Sequence, residues 1–79
     1  MKIQILGPGC PECRRLAENV AQAVRALGLA CTIEKVTEID DILALGVMMP
    51  PALVVNGKVV AIGQVPGVAK IEKLLRGAE

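Results

Sequence analysis

The sequence predicts an α/β domain whose elements run β-α-β-α-β-β-α, and three observations carry that reading. A strand-like run, Lys2-Ile3-Gln4-Ile5-Leu6, passes through a Gly/Pro turn into a long amphipathic segment and then a second strand-like run, Ala30 to Val36. Such a strand, helix and strand form a right-handed unit with parallel strands. Further on, Asn56-Gly57 separates two β-branched runs, Ala52-Leu53-Val54-Val55 and Lys58-Val59-Val60-Ala61-Ile62. That is the strongest short-range hairpin signal, a two-residue type I′ turn. Apolar residues also recur at helical spacing in three separate segments. With 79 residues, the chain has room for one domain, spanning 1–79.

Each element has its own local reason. Residues 2–6 are apolar enough for a strand covered on both faces, which places it inside the sheet. From Pro11 to Leu27, Cys13, Leu16, Ala17, Val20, Val24 and Leu27 share one helical face, and Arg14, Arg15, Glu18, Asn19, Gln22 and Arg25 fill the other. Gly28 suits the position just past the helix end. Thr37-Glu38-Ile39-Asp40 approximates a capping box. It opens a short helix with Ile39, Ile42 and Leu43 turned inward, closed by Gly46. Val47-Met48-Met49-Pro50-Pro51 is apolar but cannot be helical. After the hairpin, Pro66 begins a last helix with Val68, Ile71, Leu74 and Leu75 inward and Lys70, Lys73 and Arg76 outward.

Composition narrows the function classes. Hydrophobic residues make up 53% of the chain, yet it has no Phe, Tyr or Trp, so the core is Ile, Leu, Val, Ala and Met. The usual stacking platform for single-stranded nucleic acid is therefore missing. A net charge of +1 without a basic run gives a phosphate backbone nothing to hold, so no nucleic-acid partner is expected. No stretch is long enough to span a bilayer, and no membrane role is expected. Met1-Lys2 leads straight into the first strand without a long apolar run, so a cytoplasmic setting is expected. With no His, a Cys–His nucleophile pair and every His-containing metal site are excluded.

The chemistry concentrates in Gly7-Pro8-Gly9-Cys10-Pro11-Glu12-Cys13. The Gly/Pro cluster turns the chain and leaves little side-chain bulk around the first sulfur. Cys10 falls at the N-cap of the first helix, with Pro11 at the first helical position, where its missing N–H costs nothing. A sulfur there faces the free N–H groups of the first turn, that of Cys13 included, and the positive end of the helix dipole. Those donors favour thiolate over thiol, and two cysteines spaced i, i+3 can close a disulfide. In a cytosolic protein, C-x-x-C beside a β-α-β unit is the expected setting for a redox motif.

The element order, the C-P-x-C at the start of the first helix and a Pro directly before the third strand resemble the thioredoxin/glutaredoxin fold. The similarity is greatest to its very small archaeal and bacterial members, the redox-active disulfide proteins, and covers essentially the whole chain. It implies a central four-stranded mixed sheet flanked by three helices and a thiol–disulfide oxidoreductase working without a cofactor. It implies Cys10 as attacking nucleophile, Cys13 as resolving thiol and Pro51 as the cis-proline beside the disulfide. Gly9, Pro11, Met49 and Pro50 join Pro51 in the implied substrate-docking surface. Partners would be protein dithiols and disulfides and an upstream reductase, met by a monomer.

The chain also departs from the family pattern. Gly9 stands where thioredoxins carry Trp, and Pro11-Glu12 replaces their Gly-Pro. Gln4 occupies the place of their buried acid, six residues before the first cysteine. Where glutaredoxins have an acidic glutathione-gripping segment, this chain has Gly63-Gln64-Val65-Pro66. Dithiol exchange with proteins is therefore favoured over glutathione chemistry.

The alternative is a metal or iron–sulfur module using the C-x-x-C, with the cluster shared across a homodimer, because the same motif supplies half of many zinc sites. Heavy-metal-associated domains also place a C-x-x-C between first strand and helix, but their hairpin follows that helix directly. Cys31 is read as a small hydrophobe in the second strand at the sheet edge. Arg14 is read as exposed and solvated. Met48 and Met49 are read as core or rim packing, able with Pro50, Pro51 and Ile62 to form an adaptable apolar collar.

Overall fold

The computed structural model describes residues 1–77; the last two residues of the expected 1–79 domain lie outside the described residues. In chain order the elements are β1 (Lys2–Leu6), α1 (Pro11–Leu27), β2 (Thr32–Val36), α2 (Ile39–Ala44), β3 (Ala52–Val55), β4 (Lys58–Ile62) and α3 (Val68–Gly77). The four strands form one mixed sheet in the order β2-β1-β3-β4. β1 runs parallel to β2 and antiparallel to β3, which is antiparallel to β4. The alternation of side chains along each strand divides the core between two faces. Ile3, Ile5, Leu53 and Val55 meet Leu16, Val20 and Ala23 of α1 and Ile71 and Leu75 of α3. On the opposite face Leu6, Ala52 and Val54 meet Ile42 of α2 and Val47.

At the hairpin, Asn56 has φ 51° and Gly57 φ 82°, the left-handed pair that a two-residue primed turn requires and that Asn-Gly tolerates best. One feature of this hairpin has no signature in the sequence. Leu53 pairs with Ala61 but Val54 pairs with Val59, so Val60 is an extra residue, a β-bulge in β4. Both valines around it are half-buried, Val60 against one core face and Val59 against the other.

Several expectations need correction. The second strand begins at Thr32, not Ala30. Gly28, at φ 64°, and Leu29 turn their N–H groups back to α1 carbonyls, and pairing starts only where the Thr32 N–H meets the Met1 carbonyl at 3.0 Å. Cys31 therefore precedes the strand, half-buried against the α1/α3 core. The Thr37–Asp40 capping box does not form; Glu38 is the N-cap, without a side-chain cap bond. Six residues give that helix a single anchoring position. Ile42 is buried, while Ile39 and Leu43 are 54% and 51% exposed. The last helix starts at Val68, two residues past Pro66, with the Gly67 carbonyl accepting from Ile71. Pro66 instead accepts at its carbonyl from Asn19 Nδ2 at 3.1 Å, tying the approach to α3 onto α1.

The register gathers the loops that matter at one end of the sheet. Leu6 lies beside Val36 and Ala52, and Ala52 beside Ile62. Gly7, Thr37, Pro51 and Gly63, each next in line, therefore share that end with the start of α1.

Candidate active site

Cys10 is the N-cap of α1, in an extended backbone conformation, and its sulfur accepts from the Cys13 N–H at 3.3 Å. Its carbonyl accepts from Arg14 at 3.1 Å, closing the first turn. Pro11 occupies the first helical position, where no N–H is needed. Gly9 precedes the cap at φ 97°, a conformation that L side chains resist, so the turn delivering Cys10 to the helix depends on glycine there. The sulfur thus lies at the positive end of a 17-residue helix, within reach of its free N–H groups.

Cys10 and Cys13 are joined in a disulfide, with their Cα atoms 5.1 Å apart. The two sulfurs differ in access. Cys10 is half-buried at the helix tip, whereas Cys13 is only 6% exposed. Cys13 lies in a half-open cavity of about 160 Å³ lined also by Ile5, Gly7, Gly9, Arg14, Ala17, Lys35 and Thr37. That lining carries two cations and a hydroxyl but no carboxylate.

Gln4, at the place of the family's buried acid, is half-buried and donates from Nε2 to Glu34 Oε1 at 2.9 Å across the β1–β2 pair. It shares the sheet face of Leu6 rather than the Ile5 face that borders the Cys13 cavity. Arg14 is exposed, as read from the sequence, yet borders this cavity. Lys35 and Thr37 escaped sequence reasoning. The signal that could have found them is the parallel β1–β2 pairing, which brings the end of β2 alongside Gly7.

The segment before β3 gathers at the same end. The Pro50–Pro51 peptide bond is cis. Pro51 is fully buried, its carbonyl accepting from Gly63 at 2.8 Å, while Pro50 is half-buried. Met48 and Met49 are not core residues: they are 82% and 67% exposed, with Ile62 at 46%. The Met49 side chain and carbonyl lie about 3.6 Å from where a Cβ on Gly63 would stand, so this apolar rim lies directly over the turn that follows β4. Cys31 is the third cysteine and is free. Among the described residues, no group of three or more His, Cys, Asp or Glu side chains could hold a metal ion, and nothing favours the metal-module alternative. Nor is any described helix long and apolar enough to cross a membrane.

Comparison with known proteins agrees with this geometry. The profile of a family described as Thioredoxin domain matches residues 1–76. A thioredoxin of Methanothermobacter thermautotrophicus is 41% identical over 75 residues, covering 95% of this chain and 97% of that protein. A thioredoxin of Methanocaldococcus jannaschii is 38% identical over 74 residues, covering 94% of this chain and 85% of its own length. A match of this extent, on a fold that sets a Cys-x-x-Cys disulfide at a helix start, makes the chain a member of the thioredoxin family and a thiol–disulfide oxidoreductase.

Proposed function

We propose that Cys10 is the attacking nucleophile and Cys13 the resolving thiol in exchange with protein disulfides. In the reduced protein, Cys10 Sγ as thiolate attacks one sulfur of a partner disulfide. A Cys10–partner bond forms, and the partner's other sulfur leaves as thiolate. Cys13 then attacks Cys10 Sγ, closing the intramolecular disulfide and releasing the second partner sulfur. Two electrons pass to the partner, whose sulfurs take up the two protons that the cysteines lose. A dithiol donor acting as upstream reductase returns the pair to its starting state. The observation that carries the assignment is the contrast in access, with Cys10 only half-buried at the helix tip and Cys13 almost fully covered.

The helix N-terminus favours a thiolate at Cys10. Gly9 and Pro11, which flank Cys10, together with Met49, Pro50 and Pro51 serve as the docking surface. An extended partner segment lies along the residue before Pro51 as an added strand, and the exposed Met48, Met49 and Ile62 adapt to its side chains. The exchange unit works as a monomer in the cytoplasm. Alkylation of the reduced protein at mildly acidic pH tests the assignment, with Cys10 expected to be labelled first. Equal labelling of Cys10, Cys13 and Cys31 would remove it.

A further inference from the structure

Gly7 does something the turn alone does not ask of it. The residue is buried at the end of β1, and its φ lies outside the left-handed region, so its backbone would accept any side chain. Space is what excludes one. A Cβ on Gly7 would overlap Cys13 Sγ and stand 2.9 Å from Cys13 Cβ. The bulk that Gly7 omits is therefore cleared for the second sulfur, not the first.

Three restraints meet at this contact. Gly7 is held by its N–H, which donates to the Val36 carbonyl at 2.9 Å as the β1–β2 ladder ends. Cys13 is held at its backbone by the first turn of α1, where its N–H is bonded to Cys10 Sγ. In the oxidised protein the Cys13 sulfur is also held by its bond to Cys10. Reduction releases only the last restraint. A free Cys13 thiol can rotate about χ1 to another staggered position, and the neighbouring cavity offers room for it. A disulfide sulfur has no such escape. The 2.9 Å approach to Cys13 Cβ is common to both states, whereas the overlap with the sulfur is not, so added bulk at position 7 would penalise the disulfide more than the dithiol.

We propose that Gly7 is the positioning residue for the Cys13 sulfur and sets the redox poise of the pair, stabilising the disulfide relative to the dithiol by leaving that sulfur room against the strand backbone. The inference rests on Cys10 and Cys13 being the exchanging pair.

The test is Gly7→Ala, equilibrated in dithiothreitol redox buffers and read as the oxidised fraction by alkylation and mass spectrometry. Overpacking a filled site is costly, and here the cost falls mainly on one redox state. The expected result is a shift toward the dithiol of about tenfold, or about 30 mV to a less negative potential. Gly67→Ala is the control, because a Cβ there meets nothing within 4 Å, and its equilibrium should match wild type. A role in folding alone would weaken both redox states equally and leave the potential unmoved. A folded Gly7→Ala protein with the wild-type equilibrium overturns the proposal. If oxidised Gly7→Ala does not fold, the same change is made on Cys13→Ser, whose side chain is free to rotate. That double variant should fold where the disulfide-bonded Gly7→Ala protein does not. A double variant that also fails to fold overturns the proposal. A wild-type protein that equilibrates normally with dithiothreitol but exchanges with no protein disulfide would instead strike the functional reading, so the two failures are separable.

Discussion

Replacing Pro50 by Thr tests how a partner is held. The register places residues 50 and 51 at the end of the sheet that carries Gly7 and the start of α1. A partner strand docking there would pair with the N–H and C=O of the residue before Pro51. Pro50 is that residue, and proline offers a carbonyl but no N–H. Restoring the donor is worth about 0.5–1.5 kcal/mol net, or about a two- to tenfold gain at 1.4 kcal/mol per tenfold. The apolar contribution is of similar size. Met48 and Met49 are 82% and 67% exposed, and covering the exposed two-thirds of Met49 is worth about 1–2 kcal/mol. Met49→Ala should therefore cost about as much as Pro50→Thr gains. The assay is the rate of mixed-disulfide formation between a Cys13→Ser protein and a peptide disulfide, with a small uncharged disulfide reporting the intrinsic reactivity of Cys10. Pro50→Thr should speed the peptide reaction and leave the small-molecule rate alone. A slower peptide reaction, with fold and small-molecule rate intact, would refute the missing-donor reasoning.

Two further changes separate the site from its scaffold. Cys31→Ala removes one atom from a half-buried position before β2, so the disulfide equilibrium should match wild type and stability should fall by about 1 kcal/mol or less. Loss of exchange in the folded variant would make Cys31 a working thiol. Leu16→Ala empties a fully buried position between α1 and the sheet and should cost about 2–5 kcal/mol. Against the total of about 4–12 kcal/mol that a chain this size can hold, urea denaturation should show a large shift or outright unfolding, and a shift under 1 kcal/mol would contradict the assigned core.

What could be read from the sequence follows from where its signals are local. β1, α1 and the hairpin strands β3 and β4 match their expected bounds, because helix periodicity, a Pro–Gly pair of ends and Asn-Gly each act within a few residues. The same holds for Cys10, whose N-cap place was set by the turn before it and the proline after it. The misses lie where tertiary contacts decide. Ile39 and Leu43 looked inward on a helical repeat, but a six-residue helix anchors through Ile42 alone. The bulge at Val60 and the start of β2 at Thr32 depend on register with a distant strand. Gly7 read as turn chemistry, and only its packing on Cys13, six residues along the chain, gives it a place in the disulfide. Lys35 and Thr37 reach the site through parallel pairing, which no short window contains.

The central claim is that Cys10 and Cys13 exchange a disulfide with proteins in an ordered, two-step transfer. It is tested most directly by single-turnover reaction of the reduced protein with a protein disulfide, quenched and resolved by mass. Wild type should end as the Cys10–Cys13 disulfide with the partner released, Cys13→Ser should stall as a mixed disulfide through Cys10, and Cys10→Ser should transfer nothing at a comparable rate. Undiminished transfer by Cys10→Ser, or a stalled adduct of Cys13→Ser mapped to Cys31, would contradict the account.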